Sequence, residues 1–231
     1  MPDLIFSDPR LAAVYDAFDG RRTDLDLYLA VAAELGAASV LDVGCGTGCL
    51  GVLLAEAGLD VVGVDPALAS LELARAKDSR VTWLHGDATS LPPLRVDLAV
   101  MTGNVAQVFL GTDWEAALRG VHAALRPGGH LVFETRRPES RAWEEWADRP
   151  DRAVGGVTER LEVLEVRLPF VSFRHTYRFP DGTELASDST LRFRSHDEVV
   201  DSLAGCGFRV VDVRDAPDRP GREHVFVAQR T

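Results

Sequence analysis

The segment Val40-Leu41-Asp42-Val43-Gly44-Cys45-Gly46-Thr47-Gly48 joins an apolar run, one acid and three glycines at alternate positions. The amphipathic stretch Leu50 to Ala57 follows at once, so the spacing predicts strand, tight turn and helix. Glycines in such a turn accept positive φ and carry no side chain, so a ligand can lie against bare backbone. The turn feeds a helix N-terminus, which offers unpaired N–H groups. Asp42, two residues before the first glycine, suits a ligand with a cationic group nearby and would repel a pyrophosphate.

Three more segments follow in order. Val61-Val62-Gly63-Val64-Asp65 and Leu84-His85-Gly86-Asp87-Ala88 each bring a strand-like run to an acid, and Leu125-Arg126-Pro127-Gly128-Gly129-His130-Leu131 is a turn into another apolar run. As an ordered set, over roughly residues 38–136, the four motifs resemble the class I S-adenosylmethionine-dependent methyltransferases. The resemblance implies a Rossmann-like, doubly wound, mostly parallel α/β sheet with a final antiparallel strand. It also implies S-adenosylmethionine as cofactor and S-adenosylhomocysteine as product. By resemblance, the cofactor-binding set is Asp42, Gly44, Cys45, Gly46, Asp65, Pro66, Asp87, Ala88, Gly103 and Asn104. Asp42, Gly44 and Gly46 would lie under the methionine and ribose, Asp65 would accept both ribose hydroxyls, and Asp87 would accept the adenine amine with the Ala88 N–H nearby. Two plainer readings stand beside these: Asp65 as a strand-end cap, and Asp87 as the start of an Asx-turn. Gly46-Thr47-Gly48-Cys49-Leu50-Gly51 also fits G-x-G-x-x-G, which would make the chain an NAD(P)-dependent oxidoreductase with Asp65 on the ribose.

Methyl transfer from a sulfonium is an in-line displacement on an activated donor. It needs alignment and exclusion of water, and a base only when the nucleophile must lose a proton. Catalytic residues are therefore faint in such a sequence; the candidates are Asn104, His175 and Tyr15. Thr102-Gly103-Asn104-Val105-Ala106-Gln107 follows the fourth strand, the position that in this family faces sulfonium and acceptor. The N/D-P-P-Y/F motif of the nucleic-acid amine methylases is absent there. Substrate-side candidates are Tyr15, Asn104, Arg136, His175 and Tyr177. Glu134 and Arg136 end the fifth strand on the active edge, or are structural surface charges. His175 is a general base, or a packed histidine bonded to Ser187. Trp143 and Trp146 line a pocket, or simply pack. His85, His122, His130, His196 and His224 lack metal-ligand spacing, and Cys45, Cys49 and Cys206 form no C-x-x-C, so neither a metal site nor a disulfide is expected.

The elements that must carry these residues follow from periodicity. Helices are predicted over about 8–19 (stopped by Gly20), 23–35, 49–57, 67–77 and 113–125, the last opened by a Thr112/Glu115 capping box. Strands are predicted over about 39–43, 60–65, 80–85, 96–102 and 129–135. The alternation then breaks: 138–148 reads as helix and 156–194 as alternating strand. Ser195 and Glu198 form another capping box, opening a helix to about Ala204, and two strands, 208–213 and 224–229, finish the chain. In the hairpin around Pro180-Asp181-Gly182, a two-residue turn would mix apolar and charged residues on both faces. A three-residue turn with left-handed Gly182 pairs Tyr177 with Leu185 and His175 with Ser187 and gathers the apolar set on one face, so it is preferred.

The organisation expected is one domain over 1–231, with N-terminal helices as a lid over 1–37 and a cofactor core over 38–136. Residues 137–194 form a helix plus an antiparallel β insertion, either lid or dimer surface, and 195–231 supply the closing helix and strands. With 231 residues, 46% hydrophobic and 26% charged, the composition is ordinary for a globular α/β protein. A net charge of −11 argues against a nucleic-acid partner, although Arg136, Arg137 and Arg141, and Arg174 and Arg178, form local clusters. The first residues do not read as a signal peptide and no stretch reads as membrane-spanning, so a cytoplasmic monomer or homodimer is the default expectation. The function expected is methyl transfer to a small-molecule acceptor; the alternatives are a protein or RNA methyltransferase and, further off, the oxidoreductase.

Overall fold

The computed structural model describes residues 2–231. Helices α1 (Leu4–Ser7), α2 (Pro9–Asp19) and α3 (Leu25–Glu34) come first. The alternating core runs β1 (Ser39–Val43), α4 (Cys49–Glu56), β2 (Asp60–Asp65), α5 (Leu68–Lys77), β3 (Thr82–His85), β4 (Val96–Met101), α6 (Asp113–Ala124) and β5 (Leu125–Arg136). An insertion follows, with α7 (Ala142–Ala147), β6 (Arg152–Val154), β7 (Val157–Arg167), β8 (Phe170–Arg178) and β9 (Glu184–Arg192). Then α8 (His196–Gly205), β10 (Phe208–Asp215) and β11 (Glu223–Arg230) complete the core.

The main sheet has the order β10-β11-β5-β4-β1-β2-β3. Only β11 runs against its neighbours, pairing antiparallel with β5 and β10. Successive residues face opposite sides, which makes two apolar layers. Leu41, Ala99, Met101 and Phe133 pack with Trp114 and Leu118 of α6 and Leu203 of α8, while Val40, Leu98, Val100 and Val132 pack with Tyr28 of α3, Leu54 of α4 and Leu71 of α5. Between β1 and β4 the chain switches direction across the sheet, and ligands of such sheets bind beyond the strand carboxyl ends at that point.

Several expectations need correction. Thr112 does not cap α6: its backbone is already helical (φ −77°, ψ −10°) and its side chain makes no cap bond. A cap needs extended backbone, as Ser195 has (ψ 161°), and there the hydroxyl accepts the Glu198 N–H. The segment 138–148 is broken by Arg141 at φ 47°, which separates a 3-10 turn, Pro138–Ser140, from the short α7. Helix α1 has no counterpart in the sequence reading.

The insertion forms its own antiparallel sheet, β6-β7-β8-β9. The hairpin register is the preferred one: Tyr177 pairs with Leu185, His175 with Ser187, and Gly182 has φ 83°. The apolar face carrying Val157, Tyr177 and Phe179 is covered by Ile5, Leu11 and Phe18 of the N-terminal helices. His175 is not bonded to Ser187. That hydroxyl instead accepts the Ile5 N–H at 2.9 Å, and His175 Nδ1 turns to Glu159 Oε1 at 2.7 Å.

Candidate functional site

The three glycines after β1 have positive φ: 71° at Gly44, 53° at Gly46 and 84° at Gly48. Their surroundings differ. A Cβ on Gly44 would meet Val105 at 2.6 Å, whereas one on Gly46 would meet nothing within 4 Å, so Gly46 presents open backbone. A Cβ would meet the Trp83 ring at 2.6 Å from Gly48, 2.8 Å from Gly51 and 2.5 Å from Gly63. The second and third glycines of the G-x-G-x-x-G pattern thus seat an indole, whose Nε1–H donates to the Asp78 carbonyl at 2.9 Å. Their presence is explained by packing and does not need a dinucleotide.

Asp42 lies at the end of β1 with 1% of its surface exposed, and its Oδ1 has no hydrogen-bond partner. Burial, then the nearby Asp65 carboxylate, pushes it up to about 7. A buried acceptor without a donor is costly unless a ligand supplies one, and an ammonium group does. This is the feature that fits S-adenosylmethionine, which carries an amino group on its methionine end. Asp65, ending β2, accepts the Gly46 N–H and the Ala67 N–H, each at 2.8 Å. It does cap the turn, and each oxygen keeps a further lone pair for a hydroxyl. Burial raises its pKa and these two N–H groups oppose the rise. Asp87 makes the Asx-turn, with Oδ1 accepting the Thr89 N–H at 2.8 Å and the Thr89 hydroxyl at 2.5 Å. Ala88 is fully buried, and a Cβ on Gly120 would lie 1.7 Å from its carbonyl oxygen, so α6 must have glycine there.

Beside this edge is a cavity of about 250 Å³, walled by Tyr15, Asp24, Asn104, Glu134, Arg136 and Glu223 among others. Asn104 follows β4 in the left-handed region, φ 61°. Its N–H donates to Glu134 Oε1 at 2.8 Å and its Nδ2 to Glu223 Oε1 at 3.0 Å, while its Oδ1 is buried without a partner. Glu134 is 6% exposed, not a surface charge; burial pushes it up to about 8, against the Asn104 N–H and reinforced by Glu223. Arg136 donates Nη1 to Gln107 Oε1 at 3.2 Å, lies 5.2 Å over the Trp146 ring and stands 3.8 Å from Glu223. Trp146 therefore packs under a cavity wall, and with Trp143 it also meets Phe193.

The structure brings Tyr15, Gly103, Asn104 and Arg136 together at this cavity. It does not bring His175 and Tyr177 there, contrary to the substrate-side expectation. Both turn to Glu159, with the Tyr177 hydroxyl donating to Oε1 at 3.1 Å. Sequence reading missed Gln107, Arg194, Arg219 and Glu223. Arg194 is 3% exposed and donates to the Ala106 and Phe109 carbonyls at 2.9 and 2.5 Å, pinning the turn that carries Asn104. Burial lowers its pKa to about 10. The one available signal was Glu223, an acid at the mouth of the apolar run His224 to Ala228.

The sheet order, the single reversed strand and the glycine turn at the switch point define the Rossmann-like fold of the class I methyltransferases. Residues 40–129 match the methyltransferase domain family. In sequence it is similar to a malonyl-[acyl-carrier protein] O-methyltransferase of Pseudescherichia vulneris, 35% identical over 129 residues, covering 54% of this chain. The chain spans about half the length of this curated relative, 50%. In structure it is similar to the CcbJ methyltransferase of Streptomyces caelestis, with TM-score 0.80, 22% identity and 96% of each chain covered. It is also similar to S-adenosylmethionine-bound CalS10, an amino pentose methyltransferase of Micromonospora echinaspora, with TM-score 0.70, 23% identity and 94% and 97% of the two chains covered.

Proposed function

We propose that the protein transfers a methyl group from S-adenosylmethionine to a small-molecule acceptor seated in the Tyr15–Asn104–Glu134 cavity. The observation that carries this reading is the cavity itself. It adjoins the carboxyl ends of β4 and β5, is overhung by the N-terminal helices, and at about 250 Å³ suits a small group and not a folded partner. The cofactor supplies a methyl on a positively charged sulfur. Asp42 would take its amino group, Gly44, Cys45 and Gly46 its methionine and ribose, Asp65 and Pro66 the ribose, Asp87 and Ala88 the adenine, and Gly103 and Asn104 the sulfonium side. Tyr15 and the α2 helix would keep water from the reacting atoms. Arg136 would bound the acceptor.

The arginine clusters support a small acceptor over RNA. Arg137 pairs with Asp215, Arg141 with Glu144, Arg174 with Asp188 and Arg178 with Glu184, so their charge is neutralised locally. The acyl-carrier-protein acceptor named for the P. vulneris relative belongs to that protein. No helix among the described residues is long and apolar enough to cross a membrane. We take the protein to act in the cytoplasm, as a monomer or homodimer.

Titration calorimetry with S-adenosylmethionine, S-adenosylhomocysteine and NADH tests the reading. The first two should bind with micromolar affinity, NADH should not, and Asp65→Ala should abolish binding with the fold retained. Binding of NADH alone would return the chain to the oxidoreductases.

A further inference from the structure

The polar groups of the cavity are not evenly satisfied. Arg22 is engaged by Asp19 at 3.0 Å and Asp24 at 2.7 Å. Arg219 and Arg136 both face Glu223, at 2.8 and 3.8 Å. Arg21 is exposed at the rim. Among the described residues, Glu134 has no ion-pair partner; its one hydrogen bond comes from the Asn104 N–H to Oε1. The Asn104 side chain cannot turn to help, because Nδ2 is held by Glu223 and Oδ1 is left without a donor. Two buried acceptors, one of them a carboxylate, therefore stand at the same wall with lone pairs unfilled. A hydroxyl offers a single hydrogen and no charge, whereas a protonated amine offers several hydrogens and the missing positive charge.

Building on the methyltransferase reading, we propose that the acceptor is an amine that arrives as its ammonium ion, held by Glu134 and the Asn104 Oδ1, with Glu134 as the base. One ammonium N–H bond breaks and its proton passes to the free Glu134 oxygen. The nitrogen lone pair so released forms the N–C bond to the methyl, and the C–S bond breaks with its pair left on sulfur. The products are S-adenosylhomocysteine and a methylated ammonium ion. Burial holds Glu134 at about 8, well above an ordinary carboxylate, which narrows its gap to an amine and makes the proton transfer easier.

Sinefungin, in which CH–NH3+ replaces the sulfonium S–CH3, places an ammonium at the transfer position and needs no knowledge of the acceptor. Calorimetry near pH 8 should show sinefungin binding about tenfold tighter than S-adenosylhomocysteine, the scale of a charge-assisted contact. In Glu134→Gln, which keeps an acceptor for the Asn104 N–H, the two should bind within about twofold while S-adenosylhomocysteine affinity is unchanged. The wild-type protein gives a second arm free of any folding concern. The sinefungin preference should shrink from pH 8 to pH 6 as Glu134 takes up a proton. The groups facing Glu134 are Glu223 on β11, Asp24 before α3, Arg219 before β11 and Arg136 on β5, and S-adenosylhomocysteine measured at each pH corrects for titration common to both ligands. No preference at pH 8, or a preference that survives Glu134→Gln, would overturn the amine. Failure of S-adenosylhomocysteine itself to bind would instead remove the reading on which the amine rests.

Discussion

Glu134 and Glu159 are both nearly inaccessible, at 6% and 1% exposure, yet their surroundings drive them in opposite directions. Glu159, on β7 in the insertion, accepts from His175 and Tyr177 on one oxygen and from Arg149 and Arg152 on the other. Burial alone would raise it, but these hydrogen bonds and charges outweigh burial and bring it down to about 2. Glu134, on β5 in the core, has one backbone N–H and an open side toward a cavity, and burial wins. A buried carboxylate with every lone pair filled is a joint. One with lone pairs left open against a cavity is a place for a ligand.

The largest effect expected from this contrast is on the joint. Glu159→Ala leaves two half-buried guanidinium groups and the Tyr177 hydroxyl without their acceptor, and should cost about 3 kcal/mol of stability. Urea unfolding measures it, and a loss below about 1 kcal/mol would mean that Glu159 does not hold the insertion together. Glu134→Gln should do the reverse. It removes an uncompensated buried charge, so the variant should be more stable than the wild type near pH 8, by about 2 kcal/mol.

The pH dependence sharpens the contrast, because the signs differ. Glu134 has a folded value of about 8, above its ordinary 4.5, so the folded state holds the extra proton between these values. Its contribution is complete below about pH 4.5 and is lost as pH rises toward 8. Glu159 falls from 4.5 to about 2, so its contribution is present above about pH 4.5 and is lost as pH falls toward 2. Melting curves of Glu134→Gln and the wild type should coincide near pH 4.5 and separate by pH 8. Those of Glu159→Gln and the wild type should be far apart at pH 7 and converge in acid. Parallel curves for either variant would break the pairing of burial with partner count.

Most of the fold, but only half of this contrast, was legible in the sequence. The alternating apolar runs fixed β1 to β5 because a buried strand and an amphipathic helix have different periods. The Asp181-Gly182 turn fixed its hairpin register because only one register leaves a single apolar face. The acid-and-glycine motifs picked out the carboxyl edge of β1 and β2, where we propose that the cofactor sits, because they are local, each within a few residues. Glu159 gathers partners from Arg149 to Tyr177, and Glu134 is tied to Glu223 through Asn104, which stands 30 residues before the first and 119 before the second. No short-range pattern encodes such convergence. Thr112 failed as a cap for a related reason: the box specifies side chains, while the backbone at that point is set by the preceding turn.

The glycines offer a milder version of the same contrast. Gly63→Ala would drive a methyl into Trp83 at 2.5 Å and against Cys45 Sγ at 3.0 Å, so it should cost about 2 kcal/mol of stability, with a smaller effect on cofactor affinity than on folding. Gly46→Ala meets no atom, so its cost to folding should be only the positive-φ strain, about 1 kcal/mol, whereas S-adenosylhomocysteine affinity should fall because the methyl intrudes on open backbone. Thermal melts with and without S-adenosylhomocysteine separate the two. Equal loss of ligand affinity in both variants would mean that Trp83 supports the cofactor edge directly.

The smallest effect is expected where charges meet in water. Arg10 of α2 pairs with Asp181 of the insertion at 2.9 Å and lies 4.0 Å over the Phe179 ring, so it looks like a bolt between the N-terminal helices and the β sheet. Its side chain is 43% exposed and that of Asp181 58%, so solvent screens the pair and both side chains lose rotamer freedom in making it. The docking of α1 and α2 instead rests on the apolar contact of Ile5, Leu11 and Phe18 with Tyr177 and Phe179, which salt does not weaken. Arg10→Ala should therefore lower the melting temperature by no more than about 1–2 °C, and less at high salt. Arg10 is the cleaner partner to change, since Asp181 also accepts the Thr183 N–H within its own turn. A loss as large as that of Glu159→Ala would show that the helices are held over the cavity by charge and not by apolar contact, and would make ionic strength a control on access to the site.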